Sequence, residues 1–205
     1  AVLLLDGGDV TAVRYKHDLP NYGVFDEVRV FDAGPMPGPM DFRGVRIGVP
    51  ICEDIWTSDV PECLEECGAE ILLVPNGSPF DMEKTDQRLQ HAVARVTETG
   101  LPLAYVNQVG GQDELVFDGA SFVLNSDRSL AVQAPYWKEA IVTTEWHRGD
   151  NNVWVCEGSR VERPAEGLEP VYQAMTLGLR DYVEKNGFPG VLIGLSGGVD
   201  SAITA

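Results

Sequence analysis

The chain has 205 residues, 44% of them hydrophobic, enough for one sizeable core or one core and part of another. Fifteen Lys and Arg against 32 Asp and Glu leave a formal charge of −17, which argues against nucleic acid and anionic membranes as partners. The longest apolar runs, such as "EILLVP" and "GVLIGL", are far short of the roughly 18 residues of a membrane helix, so a cytoplasmic protein is expected.

The opening "AVLLLDGG" reads as a strand entering a turn at Asp6-Gly7-Gly8. Further strands are expected at "VRIGVPI", "EILLVP", "LPLAYVN" and "ASFVLN", each bounded by turn signals. Between them, "PECLEECGAE" predicts a helix with Cys63 and Cys67 half-buried on one face. "DMEKTDQRLQHAVARVTETG" predicts another, with Leu89, Ala92, Val93 and Val96 inward and Gly100 as its stop. These are α/β units.

From His147 to Glu169 the pattern turns polar and Pro/Gly-punctuated, as an interdomain linker would, with one short apolar patch at Val153 to Val155. "VYQAMTLGLRDYVEKNG" then predicts an amphipathic helix with Met175, Leu179 and Val183 on one face. "GVLIGL" predicts a buried strand, "SGGVDS" a glycine loop and "SAITA" the start of a helix. The expected division is therefore 1–146, a linker over 147–169, and 170–205. An opening at Ala1 and an end inside a helix suggest a fragment of a longer protein.

The stretch "GVPICEDIW" places Cys52 at the end of a strand with two acids behind it. A cysteine becomes a nucleophile where a base or a positive environment supplies thiolate and a substrate carbonyl can reach it. The turn after Cys52 can aim the Glu53 backbone N–H at a developing oxyanion. Position alone equally allows a packed thiol, and a lone lysine such as Lys16 is ordinarily solvated surface. The remaining cysteines show no zinc-ligand spacing.

Taken together, "ICEDIW" and "RYKHDLPNYGVFDE" resemble the nitrilase-type amidohydrolase family, which implies an α-β-β-α sandwich, incomplete here. By that resemblance Cys52 is the nucleophile, partly thiolate through Lys16. Lys16 and the Glu53 N–H stabilise the tetrahedral intermediate, and Glu27 is a supporting carboxylate. The family's glutamate base lies well upstream of the lysine, so it is expected before residue 1. "LLVPNGSPF" and "GGQDELVFDGASFV" look like glutamine-hydrolysing members and imply that Tyr22 and Ser78 lie near the amide substrate. A packed loop aromatic and an ordinary turn serine remain alternatives for those two.

"GLSGG" fits the G-x-S-x-G elbow of α/β-hydrolases, which would make Ser196 a nucleophile, but that reading needs an acid and a histidine downstream. The longer "SGGVDS" resembles the pyrophosphate loop of ATP-pyrophosphatases. Gly197 and Gly198 let backbone approach an anion, Ser196, Val199 and Ser201 complete the turn into a helix, and Asp200 suits Mg²⁺ bridging phosphates. A Rossmann-like α/β domain is implied to start here.

A nitrilase-like region followed by this loop is similar to the arrangement in glutamine-dependent NAD⁺ synthetases. The resemblance implies L-glutamine hydrolysis at Cys52, with ammonia passed on for ATP- and Mg²⁺-dependent amidation of deamido-NAD⁺, and AMP and pyrophosphate released. It also implies a homo-oligomer, and deamido-NAD⁺ contacts beyond residue 205. A standalone amidase and an inactive ammonia-delivery or scaffolding module are the other readings.

Overall fold

A computed structural model describes residues 1–82, 84–158 and 160–205. Strands β1 (Val2–Asp6) and β2 (Asp9–Arg14) form the first hairpin, and Gly7 and Gly8 close it at φ 62° and 94°, angles that carry no steric cost without a Cβ. A second hairpin joins β3 (Met40–Phe42) to β4 (Val45–Gly48). The chain then makes a 3-10 turn over Cys52–Ile55 and enters α1 (Asp59–Glu66), β5 (Ile71–Asn76), α2 (Lys84–Thr99) and β6 (Leu103–Asn107). Next come the hairpin β7 (Val109–Gln112) and β8 (Leu115–Asp118), then β9 (Phe122–Leu124) and β10 (Leu130–Gln133). A further hairpin pairs β11 (Trp146–Arg148) with β12 (Trp154–Cys156), and β13 (Arg160–Val161), α3 (Glu169–Lys185) and α4 (Val199–Thr204) follow.

Seven strands form one mixed sheet in the order β13-β10-β9-β6-β5-β4-β3, with β4, β5 and β6 mutually parallel at its centre. Side chains alternate across it. Leu72, Val74, Leu103 and Tyr105 meet Val60 and Leu64 of α1 and Ala92 and Val96 of α2 on one face. On the other, Ala104, Val123 and Val132 pack with Leu73, Val142, Trp146 and Cys156. A parallel centre covered on both faces reads as near-continuous apolar runs, which is why "EILLVP" and "LPLAYVN" were legible as strands. Among the described residues no helix is long and apolar enough to cross a membrane.

The structure corrects several expectations. On α2, Ala92 and Val96 are buried and Val93 packs against the core as expected, but Leu89 is 40% exposed and Arg88 and Arg95 turn inward instead, Arg88 finding a buried carboxylate partner. Cys67 caps α1 and is exposed, not half-buried. The stretch read as irregular from 147 holds β12, β13 and most of β11, because Cys156, with Trp146 just before the stretch, has a sheet face to cover; Ser159 within it lies outside the described residues. The expected face of α3 is also displaced. Ala174 and Leu177 are buried, while Met175 and Leu179 face outward, because α3 docks through its small residues on the β7–β8 hairpin.

That docking is close. A Cβ on Gly111 would lie 2.9 Å from the Gly178 Cα, so the missing side chain at Gly111 admits the helix backbone. Asp181 accepts from the Gly111 N–H at 2.8 Å and Lys185 donates to its carbonyl at 2.5 Å. "GVLIGL" forms no strand, and Val191, Leu192 and Leu195 are exposed. A strand needs a neighbour to take up its backbone groups, and none of the described strands pairs with this run.

Candidate active site

Cys52 leaves the end of β4 through Pro50 and Ile51 with φ at 52°, a left-handed conformation that costs a non-glycine residue on the order of 1 kcal/mol or more. Asp54 over-determines it: this fully buried side chain accepts from the Ile51 N–H at 2.8 Å through Oδ2. The same carboxylate's Oδ1 accepts from the His17 and Asp18 N–H groups at 3.0 and 2.7 Å, joining the loop after β2 to the cysteine turn.

That loop delivers Lys16. Its Nζ donates to both oxygens of Glu27 at 2.7 and 2.8 Å, and the pair is only partly exposed. Lys16, Glu27 and Cys52 open on one cleft of about 570 Å³, whose wall also includes Tyr15, Phe25, Ile51 and Gly77. The Gly77 backbone stands on the same cleft and favours the charged form of the Cys52 sulfur. Burial pushes the Cys52 thiol up, against the pull of Lys16 and the Gly77 backbone. The expectation of a partly ionised thiol is therefore corrected: desolvation outweighs the nearby cation, and such a thiol needs a base to surrender its proton.

Glu53 projects beside the cysteine and accepts from the Tyr22 hydroxyl at 2.8 and 2.9 Å. Burial raises the Glu53 carboxyl, with the Tyr22 hydroxyl partly offsetting it, and burial together with Glu53 raises Tyr22. The Glu53 N–H lies in the first turn of the 3-10 segment, where backbone donors have no intrahelical acceptor. Cys52, Lys16, Glu27, Glu53 and Tyr22 are thus brought together. Ser78 sits behind the wall, 7% exposed, with its hydroxyl accepting from Arg88 Nε at 3.0 Å.

Sequence reasoning missed the scaffold of this loop. Arg88 donates to both oxygens of Asp118 at 2.8 and 3.0 Å and to the Ser78 and Pro79 carbonyls at 2.8 Å each. Asn107 at the end of β6 exchanges hydrogen bonds with the Ser78 backbone at 2.9 and 3.0 Å. The available signal was the phase of α2, in which Arg88 stands four residues before Ala92 and eight before Val96.

The second candidate group is local. Gly197 adopts φ 85° and Gly198 caps α4. The Ser196 and Ser201 hydroxyls lie 3.1 Å apart, and the Gly198 N–H donates to Ser196 Oγ at 3.3 Å. The Asp200 carboxylate has no cationic partner among the described residues, and Val199 is exposed.

The family model described as carbon-nitrogen hydrolase matches residues 1–154, and the NAD synthase model matches residues 171–205. The chain is 51% identical over 202 residues to a glutamine-dependent NAD(+) synthetase of Rhodobacter capsulatus, covering 98% of this chain and 36% of that protein. It is 40% identical to the one of Acinetobacter baylyi, with 98% and 37% covered, so it spans a little over a third of these relatives. The solved glutamine-dependent NAD⁺ synthetase of Acinetobacter baumannii, in complex with ADP, superposes with a TM-score of 0.90 at 42% identity, covering 98% of this chain and 38% of that one. An amidase of the nitrilase superfamily from Nesterenkonia, seen with the acetamide moiety of fluoroacetamide on its active-site cysteine, matches at TM-score 0.54 and 29% identity over 62% of this chain and 47% of its own. With its helix-covered mixed sheet and a cysteine, lysine and glutamate on one cleft, the chain belongs to the carbon-nitrogen hydrolase family.

Proposed function

We propose that the chain is the amide-hydrolysing part, and the start of the synthetase part, of a glutamine-dependent NAD⁺ synthetase. The observation that carries this reading is the cleft in which Cys52 faces the Lys16–Glu27 pair, in a chain whose last segment matches the NAD synthase model. The proposed units are 1–146, a connecting segment 147–169, and 170–205. The reading places the enzyme in the cytoplasm as a homo-oligomer acting on small molecules.

In this reading the Cys52 sulfur attacks the side-chain carbonyl of L-glutamine and its proton passes to a base. Lys16 is paired with Glu27, which fixes the ammonium toward the cleft, and with the Glu53 N–H it bears the oxyanion charge. Collapse breaks the C–N bond, and the nitrogen takes a proton and leaves as ammonia. Water then cleaves the thioester, giving glutamate and the free thiol. The raised thiol fits a mechanism in which a carboxylate base acts in the attack step. By the family resemblance that base is a glutamate well upstream of Lys16, while Glu27 stays paired with Lys16. Tyr22 and Glu53 form a polar edge suited to the substrate's ammonium group, and Ser78 supports the wall through Arg88.

For the second half, ATP supplies the leaving group that activates the deamido-NAD⁺ carboxylate for amidation by ammonia. The residues present fit phosphates: the left-handed Gly197 turns backbone inward with open space around it, Gly198 starts a helix, and two hydroxyls flank the turn. Asp200 is the residue that would hold Mg²⁺.

The test uses the full-length enzyme with two nitrogen donors. Cys52→Ala is expected to lower glutamine-dependent NAD⁺ formation by about a thousand-fold or more while synthesis from ammonium persists. Asp200→Ala is expected to lower both by about a hundred-fold. Equal loss of both donors in the Cys52 variant, normal synthesis in the Asp200 variant, or fluorophosphonate labelling of Ser196 would overturn the reading.

A further inference from the structure

Asp54 is fully buried and stands in no step of the chemistry above. Its two oxygens accept from three backbone N–H groups, those of His17, Asp18 and Ile51. Burial pushes its carboxyl up, and these bonds pull it down by favouring the charged form. The carboxylate, 36 and 37 positions along the chain from Asp18 and His17, thereby ties the residues after Lys16 to the residue before Cys52.

The other side of the Lys16 loop is equally confined. The Gly34 N–H donates to the Lys16 carbonyl at 2.8 Å, and His17 Nδ1 lies 2.8 Å from the Gly34 carbonyl. A Cβ on Gly34 would lie 2.9 Å from the Lys16 oxygen. The loop is held between a glycine backbone and a buried anion, and Glu27 then orients the lysine's end.

We propose that Asp54 is the positioning residue of the amide-cleaving reaction: it sets the placement of the Lys16 ammonium against the Cys52 sulfur and holds Cys52 in its left-handed conformation. The inference rests on the reading of Cys52 and Lys16 given above. A carboxylate that only capped the 3-10 turn would need Ile51 alone; the bonds to His17 and Asp18 place the lysine as well.

The test is Asp54→Asn in the full-length enzyme. An amide keeps one oxygen for His17 and Asp18 but turns an NH₂ toward the Ile51 N–H, so the two segments come apart by a fraction of an ångström. Glutamine-dependent kcat is expected to fall about 10- to 100-fold, measured against synthesis from ammonium as the internal reference, with KM for glutamine within about two-fold. The pH midpoint of Cys52 alkylation should move upward, since a displaced Lys16 favours the thiolate less. A merely structural loss would lower both donors' rates together and leave that midpoint in place, which overturns the proposal. Wild-type kcat and midpoint overturn it too. If Asp54→Asn does not fold, Asp54→Ser, smaller and uncharged, goes through the same assays, and the same results support or overturn the proposal. Cys52→Ala separates the levels: glutamine-dependent activity persisting in it defeats the underlying reading, whereas its loss beside an unaffected Asp54 variant defeats only the positioning role.

Discussion

The two candidate sites are built in opposite ways. Around Cys52 the polar groups are engaged by partners far along the chain: Asp54 with His17 and Asp18, Tyr22 with Glu53, Arg88 with Ser78 and Asp118. In the 196–201 loop the hydrogen bonds run among neighbours, Ser196 with Gly198 and Ser201, and Ser201 with the Gly198 carbonyl at 3.0 Å. An assembled site depends on the packing that holds it, whereas a local motif keeps its form while the surrounding layers are open. Damage to the scaffold should therefore reach Cys52 and spare the loop.

The strongest way to break that contrast is Arg88→Ala. It leaves Asp118, 1% exposed, without its cation, frees the Pro79 carbonyl and removes one of the two donors to the Ser78 carbonyl. A buried pair broken on one side costs about 3–5 kcal/mol, to be read as a fall in the denaturant midpoint of the first unfolding transition. Glutamine-dependent turnover should fall with it. A variant as stable as wild type would show that the loop behind Cys52 needs no clamp.

A milder probe is Gly178→Ala. The added methyl would stand 3.1 Å from Val116 Cγ2, on the hairpin that also carries Gly111. Overpacking of this kind costs about 1–3 kcal/mol, measurable by thermal denaturation. No loss would mean that the helix docks more loosely than its glycines indicate.

The finest test concerns protons. Because burial raises the Cys52 thiol, its alkylation by iodoacetamide in the substrate-free enzyme should rise only as pH passes above the ordinary thiol range of about 8.5. Below that range the thiol form dominates and the rate stays low. A plateau already reached at neutral pH would show that Lys16 outweighs desolvation, and would restore the partly ionised thiol expected of Cys52 near Lys16.

How much of this was legible follows from the same contrast. The apolar runs of β1, β5 and β6, the Asp6-Gly7-Gly8 turn and the Gly100 stop announce themselves through period and steric need, and each stands where expected. Cys52, Lys16 and Glu27 could be named from their flanking motifs, and the structure brings them to one cleft. Asp54 could not, because an acid two residues after a cysteine looks like surface until Ile51, His17 and Asp18 converge on it. Arg88 was passed over because a charged residue on an amphipathic helix is ordinarily solvated, and only its distant partner Asp118 makes the inward phase favourable. "GVLIGL" failed in the opposite sense: its composition fits a strand, but pairing is a property of neighbours.

The grip of α3 on Gly111 has a consequence for the segment that leads into it. Asp181 and Lys185 occupy both backbone groups of one residue, so the helix is keyed to the hairpin and not suspended from residues 163–168. Its bearing is set by that contact, and most of residues 163–168 are exposed. Extending that segment at Gly167, whose surroundings are open, changes only the entropy of loop closure, which grows by about 0.6 kcal/mol for each doubling of length. Insertions there alter the distance along the chain without altering the distance in space, so the two family-matched regions can drift in sequence spacing and still keep their mutual alignment.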